Sequence, residues 1–238
     1  MKKSNKTNIT LRYKQSKIGL ELDLVKSFIN SFDKIFYKAS PNVRLFEEPY
    51  IDMNIPDIVI VFWDEDIFDY WAMERNFLQK RDIKILHHMF VKNGFSDVDM
   101  LINELGYSVR EIENTLEKLI KADLLTERNQ KFKIKEIKKV FFVRAIITIE
   151  AKIKDWKKAF EQAWLNESFA SESYVLLPQN RISSKVIEHA NKLDIGIIGH
   201  EKRNSNIVKS PNKKIIPSSY LSWLFNENIG RDLYYAKL

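Results

Sequence analysis

Six consecutive residues, Ile58-Val59-Ile60-Val61-Phe62-Trp63, carry no polar side chain and are almost all β-branched or aromatic. Alternation is absent, so a strand made from them has to be covered on both faces, and that demands helices on either side of a sheet. Pro56-Asp57 stands directly before the run, where a residue without an N–H starts a strand at no cost to the ladder. Residues 140–152 read as a second, longer strand, ending Ile149-Glu150-Ala151-Lys152. The segments around these two strands alternate in type. Residues 18–36 place Leu20, Leu24, Val25, Phe28, Ile29, Phe32, Ile35 and Phe36 at helical spacing, and Ser40-Pro41-Asn42 breaks the pattern. Residues 43–50 read as a strand closed by Pro49, and 64–73 as an acidic, aromatic connector. After residue 152, Asp155 caps a helix bearing Trp156, Ala159, Phe160, Ala163 and Trp164 on one face. A strand over 173–178, a helix over 184–192 and a short strand over 195–199 follow. The expected class is α/β, a mixed sheet flanked by helices.

Residues 76–139 read as a module of their own. Helices are expected over 77–91, 97–105 and 109–122, separated by Gly94 and Gly106 and capped at Ser96 and Ser108. Two short strands, 124–126 and 132–135, flank a polar turn. The domain boundaries that follow are 1–75, with a basic arm over 1–17, then 76–139, then 140–238. The last stretch has a basic loop around Pro211 and Pro217 and an aromatic end, with Tyr220, Trp223 and Phe225 expected to pack on the body.

Composition removes several function classes. The chain of 238 residues has no cysteine, which excludes a disulfide framework, a thiolate zinc site and a cysteine nucleophile. No glycine-rich phosphate loop is present, and His87, His88, His189 and His200 match no metalloprotease spacing. No apolar run approaches the roughly 18 residues of a membrane helix, and the start lacks the apolar core of a secretory signal; a cytoplasmic protein with no membrane partner is the expectation. The formal charge of +7 is unevenly spread. Residues 1–18 hold 6 basic and no acidic side chains, 19–76 hold 5 against 12, 77–139 hold 13 against 10, and 201–238 hold 7 against 3. An acidic region containing Asp57 is thus flanked by basic segments suited to a polyanion.

Asp57 opens one apolar strand and Glu150 closes another, with Lys152 two residues on and therefore on the same face by strand alternation. Pro-Asp and Glu-x-Lys are each common. Two acids and a lysine at the ends of core strands are costly, however, unless they pair with one another or bind something. With the middle module set aside, the order of elements and the residues Pro56, Asp57, Glu150 and Lys152 resemble the PD-(D/E)XK nuclease superfamily, the restriction-endonuclease-like fold. The resemblance spans about residues 18–200 outside the module. It implies that Asp57 and Glu150 hold Mg2+ or Mn2+ and that Lys152 assists the attacking water in phosphodiester hydrolysis. Glu21 matches an additional acid of some members. Gln162 matches a glutamine that some subfamilies keep with a tyrosine four residues later, where this chain has Asn166.

The module itself resembles a winged helix-turn-helix, and its insertion accounts for the long interval between Asp57 and Glu150. It offers Arg110 on the third helix and Arg128, Lys131, Lys133 and Lys135 on the wing as nucleic-acid contacts, the alternative being a module that packs or mediates protein contacts. The third helix balances Arg110, Lys118 and Lys121 against Glu111, Glu113 and Glu117, so the wing is the better candidate for phosphate contacts. The implied partner is DNA, in a restriction, defence or repair setting, with the chain acting as a homodimer or as a subunit of a larger complex. The alternative is a catalytically silent DNA-binding or assembly protein that retains the fold, its acids and lysine forming a structural ion cluster.

Overall fold

The computed structural model describes residues 12–13, 19–36, 42–50, 56–65, 67–216 and 219–237. Most of the basic arm, the Pro41 break and Pro217 lie outside them. Along the chain come β1 (Arg12–Tyr13), α1 (Leu20–Ile29), α2 (Asp33–Phe36), β2 (Val43–Glu47), β3 (Pro49–Tyr50), β4 (Ile58–Trp63) and α3 (Ile67–Tyr70). A 3-10 turn at Met73–Phe77 leads into α4 (Lys80–Lys92), α5 (Val98–Leu105), α6 (Val109–Lys121), β5 (Leu125–Arg128), β6 (Lys131–Ile134) and α7 (Ile137–Val140). The remainder is β7 (Val143–Ala151), α8 (Trp156–Asn166), β8 (Glu172–Pro178), α9 (Ser184–Leu193), β9 (Gly196–Glu201), β10 (Asn204–Lys209) and α10 (Tyr220–Lys237). Two compact units result, one from Met1–Trp63 with Val143–Ser218, the other from Asp64–Phe142 with Ser219–Leu238.

The first unit is an open six-stranded mixed sheet in the order β10-β9-β8-β7-β4-β2, an α/β architecture. β4 pairs antiparallel with both β2 and β7, while β7, β8 and β9 are parallel and joined through α8 and α9. All six residues of β4 are buried, as its unbroken apolar run requires. Ile58, Ile60 and Phe62 meet Leu24, Val25, Phe28, Ile29 and Phe32 on one face, together with Ile147, Ile149 and Leu176 of the neighbouring strands. Against the other face α8 and α9 place Ala159, Phe160, Ala163, Val186 and Ala190, opposite Val175, Leu177 and Ile197. Each aliphatic side chain fully buried in these layers contributes about 1.5–3 kcal/mol. Asp155 caps α8, its carboxylate accepting from the Lys158 N–H at 3.2 Å.

Two expected elements divide. The first helix ends at Ile29 and resumes as the short α2, with Ser31 turning its hydroxyl back onto the Phe28 carbonyl at 3.0 Å. The strand expected over 43–50 breaks at Glu48, whose φ of 44° interrupts the ladder between β2 and β3. β10, in a segment expected to be loop, has a mostly polar sequence and, among the described residues, is an edge strand paired with β9.

In the second unit α4, α5 and α6 precede the β5–β6 hairpin. Asn129 and Gln130 both have positive φ, the geometry of a two-residue turn whose twist suits a hairpin. Ser96 pairs with Phe132 through two backbone bonds of 2.9 and 2.8 Å, an isolated bridge at the edge of the hairpin. That pairing takes Ser96 out of the capping position, and Asp97 caps α5 instead, accepting from the Met100 N–H at 2.9 Å. Ser108 and Glu111 close a reciprocal capping box on α6. A bond of 2.9 Å from the Asp64 N–H to the Phe142 carbonyl ties together the two ends of the segment.

The C-terminal residues, expected with 140–238 on the sheet, form α10 in this second unit. Trp223 is fully buried against the rings of Phe90 and Phe141. Glu227 accepts twice from the buried Arg75, whose guanidinium lies against the Trp71 and Phe142 rings. Gly230 brings the α10 backbone so close to Trp71 that an added Cβ would run into the indole. Gly230→Ala is therefore expected to lower the stability of this unit by about 1–3 kcal/mol, measured by urea denaturation, despite alanine's better helix propensity. A stabilised variant would show that α10 does not pack there.

Candidate active site

The β4–β7 register sets the site. Ile58 lies opposite Ile149, which puts Asp57, the residue before β4, beside Glu150. On its other side Glu150 neighbours Val175 of β8. The Asp57 Oδ2 accepts a hydrogen bond of 2.7 Å from the Ala151 N–H, a contact that holds the start of β4 against the end of β7. Its Oδ1 is uncommitted among the described residues.

Glu150 is 2% exposed. Its Oε1 accepts from the Asn166 side-chain amide at 2.7 Å, and its Oε2 is buried with no hydrogen-bond partner among the described residues. Burial, and secondarily the Asp57 charge, push the Glu150 carboxyl up to about 8, against the opposing pull of the Asn166 hydrogen bond and the Lys152 charge. Asp57 is raised too, chiefly by burial, with Glu48 and Glu21 adding to the effect and the Ala151 N–H and Lys152 opposing it.

Strand alternation predicts a shared face for Glu150 and Lys152, but their polar ends separate. β7 stops at Ala151, and beyond it the Lys152 ammonium lies 3.4 Å from Glu21 Oε2 on α1, 3.0 Å from the Ala151 carbonyl and 3.9 Å from Asp57 Oδ2. Glu150 instead meets α8. Asp57, Glu150, Lys152 and Glu21 are thus brought together at one end of the central strands. Gln162 sits on α8 four residues before Asn166, on the same helix face, and its Oε1 is buried with no hydrogen-bond partner among the described residues. Asn166 was visible in the sequence only as a departure from a tyrosine position. Its i+4 relation to Gln162 was the one available signal.

Among the described residues no group of three or more His, Cys, Asp or Glu side chains is arranged to hold a metal ion. A centre here has two carboxylates to work with. That donor set fits Mg2+, which is commonly held by one or two carboxylates and keeps several waters. The bare, buried Glu150 Oε2 supports the fit, because an unpaired acceptor in the interior is costly unless something positive or a proton donor meets it.

The proposed nucleic-acid contacts all belong to the other unit. Arg110 is exposed on α6, and Arg128 and Lys131 face one another across the hairpin beside its turn. Lys133 is exposed, with its ammonium 5.9 Å from the Phe95 ring. Lys135 is ion-paired with Asp123. No protein-family model matches the chain, and no curated protein matches it. Among solved structures, a protein of unknown function from Silicibacter pomeroyi aligns with 41% of this chain and 68% of its own at 9% identity and a TM-score of 0.27. That likeness assigns neither fold nor function.

The raised Glu150 carboxyl has a consequence for stability. The folded chain retains a proton that the unfolded chain releases above the ordinary value of 4.5, so this group makes stability fall as pH rises from there to about 8 and level off beyond. Glu150→Gln is expected to remove that component, a difference on the order of a few kcal/mol between the ends of the window. Urea denaturation of both proteins in chelator across the window checks it. Parallel curves for the two would show that Glu150 is not proton-linked to folding.

Proposed function

We propose that this protein is a metal-dependent endonuclease that hydrolyses phosphodiester bonds in DNA, built on a restriction-endonuclease-like sheet with an inserted winged helix. The observation that carries the reading is the placement of Asp57 beside Glu150 by the β4–β7 register, with one Glu150 oxygen buried and bare among the described residues and the Lys152 ammonium 3.9 Å from Asp57 Oδ2. The succession α1, β2, β4, β7, α8, β8 around a mixed sheet supports it, as does the three-helix, hairpin order of the inserted segment.

In this reading Asp57 and Glu150 would hold Mg2+ or Mn2+. A bound divalent ion supplies neutralisation of phosphoryl charge and acidification of a water. Lys152 orients the attacking water and offsets charge through its ammonium, held between Glu21 and Asp57. Glu21 steadies that ammonium from α1. In the other unit, the wing cations Arg128, Lys131 and Lys133 supply affinity for the phosphate backbone without reading bases.

Cleavage of plasmid DNA with Mg2+ or Mn2+ tests the chemistry. Glu150→Ala and Lys152→Ala are each expected to lower the rate by roughly 10²–10⁴-fold; equal cleavage by the wild type and both variants would remove the assigned residues from the reaction. For the wing, Lys133→Ala is expected to weaken DNA binding and reduce the slope of log K against log salt by about 1. An unchanged slope would place that lysine away from phosphate.

A further inference from the structure

We propose that Asn166 is a positioning residue that makes Glu150 a one-oxygen ligand, fixing Oε1 so that Oε2 alone is presented to the cation. This rests on the metal-dependent reading above and adds a residue that reading does not require. Asn166 and Glu150 are each 2% exposed, and the amide meets Oε1 at 2.7 Å. The position of that amide is set by packing: Asn166 is the last residue of α8, a helix fixed at its start by the Asp155 cap and along its length by Ala159, Phe160 and Ala163 against β8 and α9.

Two features separate this arrangement from ordinary satisfaction of a buried acid. A partner serving burial alone is expected to come with a second donor for Oε2, since a bare interior oxygen costs about 1–3 kcal/mol. Here one oxygen is bound and the other is left without a partner among the described residues. The partner is also neutral. A lysine or arginine at this place would pair with the carboxyl group and compete with a cation, whereas an amide aims it without supplying a competing charge. Gln162, on the same face of α8, is neutral as well. The α8 side of the site therefore orients Glu150, and the countercharge is left to the ligand. Partners of this kind behind a metal ligand change affinity by roughly 10–100-fold when removed.

The test uses Mn2+ alone with the full chain, followed by electron paramagnetic resonance of the free ion. Asn166→Leu is expected to raise the Mn2+ dissociation constant by roughly 10–100-fold. Asn166→Ser, which leaves more room but cannot reach Oε1, should show the same loss and guards against a folding defect in the leucine variant. Adding either change to Glu150→Ala should cost nothing further, a non-additivity that a merely structural asparagine would not produce. Wild-type Mn2+ binding with unchanged affinity in both Asn166 variants, or full additivity with Glu150→Ala, would overturn this role and leave the metal reading standing. No Mn2+ binding by the wild type would overturn both.

Discussion

The antiparallel pairing of β4 with β7 is the constraint from which the first unit follows. β4 is apolar throughout and β7 is buried at every residue but Arg144, so neither face is left to water. α1 and α2 cover one face, and α8 with α9 covers the other. The register that buries Ile58 beside Ile149 also sets Asp57 beside Glu150, because a slip of one residue would turn every side chain to the wrong layer. Packing and site geometry are one decision.

The energetics of the site run against the fold that creates it. Two carboxyl groups held together at the sheet end, one of them almost wholly buried, repel each other and resist ionisation. A single ammonium, shared between Asp57 and Glu21, offsets part of this and makes no contact with the bare oxygen of Glu150. Such an arrangement lowers stability locally and is retained in a chain whose core is elsewhere closely packed. In the proposed reading a bound cation would offset that repulsion.

How much of this could be read from residues alone varies with the kind of signal. The run from Ile58 to Trp63 announced a doubly covered strand because burial on both faces leaves no polar position. Asp57, Glu150 and Lys152 stood out because charge at the ends of such strands is rare. Asn166 did not, since the phase of α8 relative to the sheet is a tertiary fact that no local pattern encodes. β10 was hidden by its composition: an edge strand can be polar, and Asn204-Ser-Asn resembles a turn. α10 was hidden by the reverse, as its aromatic residues, Asn226 and Gly230 weaken helical propensity that packing against Trp71 and Phe90 restores. Ser96 and Asp97 were equivalent as caps until the bridge to Phe132 chose between them.

β4 and β7 are neighbours in the sheet, yet the whole segment Asp64–Phe142 separates them along the chain. In an unfolded segment of that length, closing the loop would make the central pairing slow to form. The bond between Asp64 and Phe142 changes the problem, since once the segment has its own structure its two ends leave side by side, as from a hairpin turn. Unit two also needs α10, which follows the last strand of unit one, so neither unit is continuous in sequence. Each has to be gathered from segments distant along the chain before the acidic end of β4 and β7 is assembled.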